Sequence, residues 1–416
     1  MRFSASCAAF IVPAVLLVSA GPGCSIGPAA IRVSQAKYND AIQYTTNEQL
    51  LLNLVRLRYR DVPFFLQVSS VSTQFEIDQS SDATVTVTEN VGLNPINPTV
   101  LNVGGRMGYS ERPTITITPL QGNEFVNRML SSFDLDTIAL LHTAGWSIDR
   151  VLTLTLSSMN HLANAPNASS PTPDDVPEFR DFARATFLLR ELQKRQALFI
   201  GHDLRERDVS GPLPAAAVSA DHVLNAARDG LILRRAERGD AYAVRRAERV
   251  LRIGVAESAR EAPEWREVVS LLGLEPGQDR YDVVLSLSGL AESPRAERSR
   301  EIRVSARSLL GTMFLVSHAI EVPERDRAAG LVTVTRDAAG NEFDWLPAIN
   351  HLLRIRVYPV RPLSCAVAVS YRGHWFYIDD ADRNSKATFL LLAQLFALQA
   401  GSQAPGAPVL TLPVGR

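Results

Sequence analysis

The apolar positions of the chain fall into blocks of helical and of strand period, and the blocks come in runs. Over residues 33–61 the spacing is helical, with Leu50, Leu51, Leu54, Val55 and Leu57 on one face. Thr46-Asn47-Glu48-Gln49 has capping-box spacing just ahead of them. Asp61 and Pro63 predict the stop, after Arg56, Arg58 and Arg60. From Val71 the period becomes two. Val71, Thr73, Phe75 and Ile77, then Ala83, Val85, Val87, Val91 and Leu93 beyond a polar tip, alternate with Ser72, Gln74, Glu76, Asp78, Thr84 and Thr86. This is the pattern of half-buried β-strands. Asn94-Pro95-Ile96-Asn97-Pro98 predicts a turn, the alternation resumes at Leu101, Val103, Met107 and Tyr109, and Thr114–Thr118 adds a strand behind Pro113.

Helical patterns return at 121–132, 135–144 and 147–163, although Val151–Leu156 within the last also reads as strand. Asn164–Asp175 has no periodicity and is rich in Asn, Pro and Ser, which predicts a linker. An amphipathic helix follows at 178–198. Residues 230–255 predict a β-meander about Gly239-Asp240, with strands at 281–287 and 302–304 and a helix at 305–319. Strands at 352–358 and 366–371 precede a tight Arg372-Gly373 turn into His374–Ile378. Asp379–Asn384 then reads as loop and helix cap. Residues 388–399 are apolar on nearly every face, as in a buried helix, and 409–412 offers a last strand. Strands and helices in runs, without regular βαβ alternation, predict an α+β fold of antiparallel sheets with packed helices. The expected organisation is a signal peptide at 1–23, an N-terminal α+β domain with a long β-hairpin at 24–163, a linker at 164–177 and a C-terminal α+β domain at 178–416.

The first 24 residues change the picture most. One Arg, an apolar stretch from Ala8 to Ala20 and a small-residue zone ending at Cys24 read as a secretory signal peptide. Val18-Ser19-Ala20 allows release after Ala20. Gly23-Cys24 resembles a bacterial lipobox, with Gly21 and Pro22 departing from its usual residues, and makes Cys24 a lipidation site. Ser25 after the cysteine resembles outer-membrane sorting. With Cys7 removed and Cys24 acylated, Cys365 is the remaining thiol, so no intrachain disulfide forms. The 43 basic and 44 acidic residues nearly cancel, which gives no electrostatic case for a nucleic-acid partner.

Catalytic motifs are absent from the sequence: it holds no H-E-x-x-H, G-x-S-x-G, P-loop or G-x-G-x-x-G pattern. The densest polar group is His374, Asp379, Asp380, Asp382 and Asn384 at the mouth of the last hairpin. It reads as an acid–base or cation site on one view and as a hairpin exit with a helix N-cap on the other. No cofactor or metal is expected. Asn47–Asp61, Tyr109–Gly122 and Tyr371–Phe396 together resemble an uncharacterised group of bacterial envelope proteins, a resemblance that implies location and no activity. The expected function is a lipid-anchored periplasmic component of the outer membrane, noncatalytic, with other envelope proteins as partners. Two alternatives stand beside it. The alternating strands of 83–109 match the length needed to cross a bilayer, as in a ring-forming β-barrel pore. A hydrolase would use the His374/Asp380 neighbourhood.

Overall fold

The computed structural model describes residues 26–86, 100–171, 175–235, 241–286, 299–400 and 410–413. The expected signal peptide with Cys24, the Asn94–Pro98 turn and the Gly239-Asp240 turn lie outside the described residues. Among the described residues no helix is long and apolar enough to cross a membrane.

The chain forms two compact units. The first takes residues up to Gln49, Gln67–Ile117 and the end of the chain from Leu410. It holds most of helix α1 (Ile26–Arg58) and of the strands β1 (Phe65–Thr86) and β2 (Val100–Leu120). β1 and β2 are neighbours in a three-stranded sheet, and the final strand, Leu410–Pro413, lies antiparallel on β2 with Thr411 opposite Thr116. Both long strands run further than the periodicity predicts, because neither the polar stretch Gln79–Asp82 nor Pro113 interrupts them. Likewise α1 passes straight through Thr46, so the capping-box spacing there does not start a helix.

The second unit, Leu50–Leu66 with Thr118–Val409, contains the main core. After the end of α1 come α2 (Asn123–Leu130), α3 (Leu135–Thr143), α4 (Ile148–Thr155), β3 (Leu156–Met159) and β4 (Leu162–Ala163). Then follow α5 (Arg180–Lys194), β5 (Leu198–Asp208), β6 (Leu213–Pro214), α6 (Ala220–Arg228), β7 (Leu231–Arg235) and β8 (Ala241–Val255). The remainder is α7 (Pro263–Leu271), β9 (Arg280–Leu285), β10 (Glu301–Ala306), α8 (Leu309–Ser317), α9 (Glu324–Ala328), β11 (Arg356–Tyr358), β12 (Cys365–Tyr371), β13 (His374–Asp379) and α10 (Arg383–Ala400).

The large sheet has the order β4-β3-β10-β9-β8-β5, with β6 and β7 also paired to β8, and the small one β11-β13-β12. The α+β class holds. The expectation of purely antiparallel sheets does not, because β9 and β10 pair in parallel, Ile302 opposite Val283. At Gly254 on β8 an added Cβ would lie 2.3 Å from the Asp279 carbonyl oxygen, so this close approach of β8 and β9 requires glycine. The helix-or-strand ambiguity of Val151–Leu156 resolves as both states: α4 runs to Thr155 and the chain enters β3 directly at Leu156.

That switch is held by Arg307, which is 2% exposed. A guanidinium has five N–H donors, and all five are used. Nε donates to Ser169 Oγ at 2.9 Å, and Nη1 to the carbonyls of Thr153 at 3.0 Å and Leu156 at 2.5 Å. Nη2 donates to the carbonyls of Asn164 and of Ala165, the latter at 3.1 Å. Thr153 and Leu156 are at the C-terminal end of α4, where carbonyls lack intrahelical partners and a cation is favoured by the dipole. Burial lowers the Arg307 pKa to about 9, so the side chain stays charged at neutral pH.

The same contacts bury part of the stretch expected to be a linker. Asn164, Ala165 and Ala168 are buried, Asn164 Nδ2 donates to the Thr153 and Leu156 carbonyls, and the Ala165 N–H donates to Glu178. Breaker residues here make a carbonyl-rich turn around a buried cation. Arg307→Met keeps the volume but withdraws a donor from five acceptors, of which the Thr153, Leu156 and Ala165 carbonyls keep another, and is expected to lower the unfolding free energy by at least ~3 kcal/mol. Urea unfolding followed by circular dichroism measures it, and a loss below ~1 kcal/mol contradicts the assignment.

Candidate functional site

The acids flagged at the last hairpin do not converge with His374. Arg372 (φ 49°) and Gly373 (φ 81°) make the tight turn that sets Tyr371 opposite His374 at the start of β13. Asp379 is at the far end of that strand, five residues or roughly 17 Å away at a strand's rise per residue. His374 is half-buried, and its Nδ1 has no hydrogen-bond partner. Asp379 accepts from the Ala381 N–H at 2.9 Å and faces Arg356 at 3.4 Å. Asp380 pairs with Lys386 at 2.6 Å. Asp382 accepts from the N–H and the hydroxyl of Ser385 at 3.0 and 2.7 Å, which is the work of a cap at the start of α10. Burial opposes its charge, but those bonds hold its carboxyl below the ordinary range. Among the described residues no cluster of three or more His, Cys, Asp or Glu could hold a metal ion.

A different constellation gathers at the end of α1. Asn53, fully buried, clamps the outgoing chain: its Oδ1 accepts the Phe64 N–H at 2.9 Å and its Nδ2 donates to the Phe64 carbonyl at 2.8 Å. Arg60 takes a positive φ of 62°, which closes the helix as the Asp61 N–H returns to the Arg56 carbonyl. The buried Tyr59 packs edge-on against Tyr371 and Phe376 and donates its hydroxyl to Asp326 Oδ2 at 2.6 Å. Asp61 accepts from the Tyr371 hydroxyl and, at 3.0 Å, from Arg372. The Tyr371 bond first, and Arg372 against the cost of burial, keep the Asp61 carboxyl below its usual range.

Of the three arginines that the sequence places here, Arg56 bonds Asn53 and Arg60 bonds Thr333, while Arg58 turns into a cleft of about 340 Å³. Its Nη1 donates to the Thr333 carbonyl at 3.1 Å and lies 3.4 Å from His318 Nδ1. His318 is 8% exposed and stacks on Trp345, centroids 4.3 Å apart and 19° between planes. Phe343 meets Trp345 edge-on at 5.1 Å. The remaining cations of the lining are matched, Arg327 to Glu342 at 2.9 Å and Arg354 to Glu321 at 2.7 Å. Arg58 has no carboxylate partner among the described residues. Burial lowers its pKa to about 10, and burial together with Arg58 lowers His318 to about 3.

At neutral pH Arg58 is therefore charged and His318 neutral. Because a guanidinium only donates, Nδ1 of His318 is the accepting nitrogen and Nε2 carries the proton. His318 Nε2 and Arg58 Nε are both buried without a hydrogen-bond partner. With Arg327 Nε they make three buried nitrogens without a hydrogen-bond partner among the residues of this lining. No family model, curated relative or solved structure matches this chain, so the residues must be read on their own chemistry. Arg58 was visible in sequence as part of a basic triplet. His318 and Trp345 carried no signal, because nothing in spacing links them to a residue 260 positions earlier.

The buried imidazole sets a pH dependence. His318 titrates near 6.5 when unfolded and near 3 when folded, so below pH 6.5 the unfolded chain binds the extra proton and stability falls as the pH drops towards 3. Between pH 7 and pH 5 this group alone is expected to remove about 2 kcal/mol. Urea unfolding at both pH values, for the parent and for His318→Gln, isolates it: the variant should lose correspondingly less on acidification.

Proposed function

We propose that this chain is an outer-membrane lipoprotein, acylated at Cys24 and facing the periplasm, with a noncatalytic structural or binding role in an envelope assembly. The observation that carries the reading is the Gly23-Cys24 pair closing an apolar N-terminal stretch behind a single Arg. A diacylglycerol thioether and an amide-linked chain, at ~0.8 kcal/mol per buried methylene, make a firm anchor. Its partners are then the membrane, through that anchor, and other envelope proteins. Binding is favoured over chemistry by what the polar residues do. The hairpin acids serve as caps and ion pairs, and the unmatched groups of the Arg58 cleft are hydrogen-bond donors.

The pore reading has one observation in its favour: β1 and β2 are 22 and 21 residues long, about twice the 9–11 that cross a bilayer. Oligomeric state decides between the two. A monomer or small oligomer that stays soluble without detergent after removal of the acyl chains supports the first reading, and a detergent-dependent ring supports the second.

Intact-mass analysis of the N-terminal peptide from membrane extracts is expected to find Cys24 as the first residue, carrying acyl chains. Cys24→Ala should move the protein from the membrane pellet to the soluble fraction. A chain beginning at Gly21, or a Cys24→Ala protein still sedimenting with membranes, contradicts the lipoprotein assignment.

A further inference from the structure

We propose that the outer edge of β5 is a dimerisation surface, on which the β5 of a second copy of this chain pairs antiparallel about a two-fold axis at Leu204. The surface does not depend on the lipid anchor. Three observations carry it: a free strand edge, one register that the charges select, and apolar side chains left exposed along that edge.

β5 is the last strand of the large sheet, and among the described residues its 11 residues pair with β8 alone. The ladder gives the direction of the edge groups. The Val209 N–H donates to the Val244 carbonyl and the Ala256 N–H to the Ala197 carbonyl, so the odd residues of this segment bond β8. In an antiparallel pair these alternate with residues whose N–H and C=O point the other way, here the even residues from Leu198 to Asp208. Leu204 shows this directly, because its N–H turns to the Asp203 carboxylate at 2.8 Å. A strand edge of this length is a template for another strand.

Two-fold pairing through the even residues allows a short series of registers, and the charges choose among them. Centred on Leu204, it sets His202 opposite Glu206 of the second copy and Asp203 opposite Arg205, each contact made twice. Centres at Asp203, Arg205 or Glu206 set that charge against its own copy, and a centre at His202 pairs no opposite charges. In the chosen register the Leu204 N–H passes to the Leu204 carbonyl across the axis, which frees the Asp203 oxygen for Arg205 of the second copy. Asp203 and Arg205 keep Arg252 and Asp282 as partners on their inner side.

The same register matches the apolar side chains. Leu204, 66% exposed, meets Leu204 at the axis, and Phe199, 37% exposed, meets Val209 of the second copy, 54% exposed. Apolar side chains left open to water on a charged strand are what a contact between copies covers.

Variants at Leu204 test this in the detergent-extracted full chain. Sedimentation velocity is expected to find the parent as a dimer at about 10 μM. Leu204→Pro deletes an N–H that β8 does not use, so the fold should hold while the dissociation constant rises at least about tenfold. Across the axis the two Leu204 Cα atoms would be about 5.5 Å apart, within disulfide range, so Leu204→Cys should cross-link on mild oxidation. The parent, with Cys365, and Leu224→Cys, exposed on α6, should not. The cross-link decides even if Leu204→Pro fails to fold. A parent still monomeric at about 100 μM, no cross-link through Leu204→Cys, or a dimer undisturbed in folded Leu204→Pro each overturns the proposal.

Discussion

A charge without a counter-ion organises the second unit. Arg307 is enclosed by carbonyls rather than carboxylates, and its planar fork can be satisfied only if four backbone oxygens and one hydroxyl come to it from separate places in the chain. Two of those oxygens end α4, two belong to Asn164 and Ala165, and the hydroxyl is Ser169. The backbone N–H of Arg307 donates to the Thr155 carbonyl, which registers the end of β10 against the helix-to-strand switch. Desolvating a guanidinium costs several kcal/mol, so the geometry tolerates little slack. The residues flanking these contacts in the chain, Leu152, Leu154 and Leu309, are at or near complete burial.

The two arginines differ in how fully their donors are matched. Arg307 is saturated and thereby fixed. Arg58, at the end of a helix clamped by Asn53, keeps an unmatched donor and no carboxylate, and its neighbour His318 does the same. Stacking on Trp345 holds the imidazole in place while burial keeps it neutral. The helix end is itself tied down by Tyr59 to Asp326 and by Asp61 to Tyr371 and Arg372, so the cleft is built on rigid supports.

What the sequence made legible was local. The Arg372-Gly373 turn, the all-round apolar α10 and the β7–β8 meander were readable because turn chemistry and periodicity act over a few residues. The candidate site was not. Asp379, Asp380 and Asp382 are close to His374 in sequence, but an extended strand carries them away from it, and their spacing served capping instead. Asn164–Ser170 looked like a linker because Asn, Pro and Ser mark surface turns; the cation that draws them inward is more than 130 residues downstream. The parallel β9–β10 pair and the Arg58–His318 contact share that character, since each depends on which distant segment arrives alongside.

Native-state hydrogen exchange on the turn itself tests the organising role of Arg307 most directly. The amides of Asn164, Ala165 and Ala168 donate to Ser157, Glu178 and Ala165, and that of Arg307 to Thr155. If the buried guanidinium locks these segments into the core, all four amides should exchange only through global unfolding, with the same denaturant dependence as β10. Rapid, denaturant-independent exchange at 164–168 while β10 remains protected would show a locally opening linker and contradict the account.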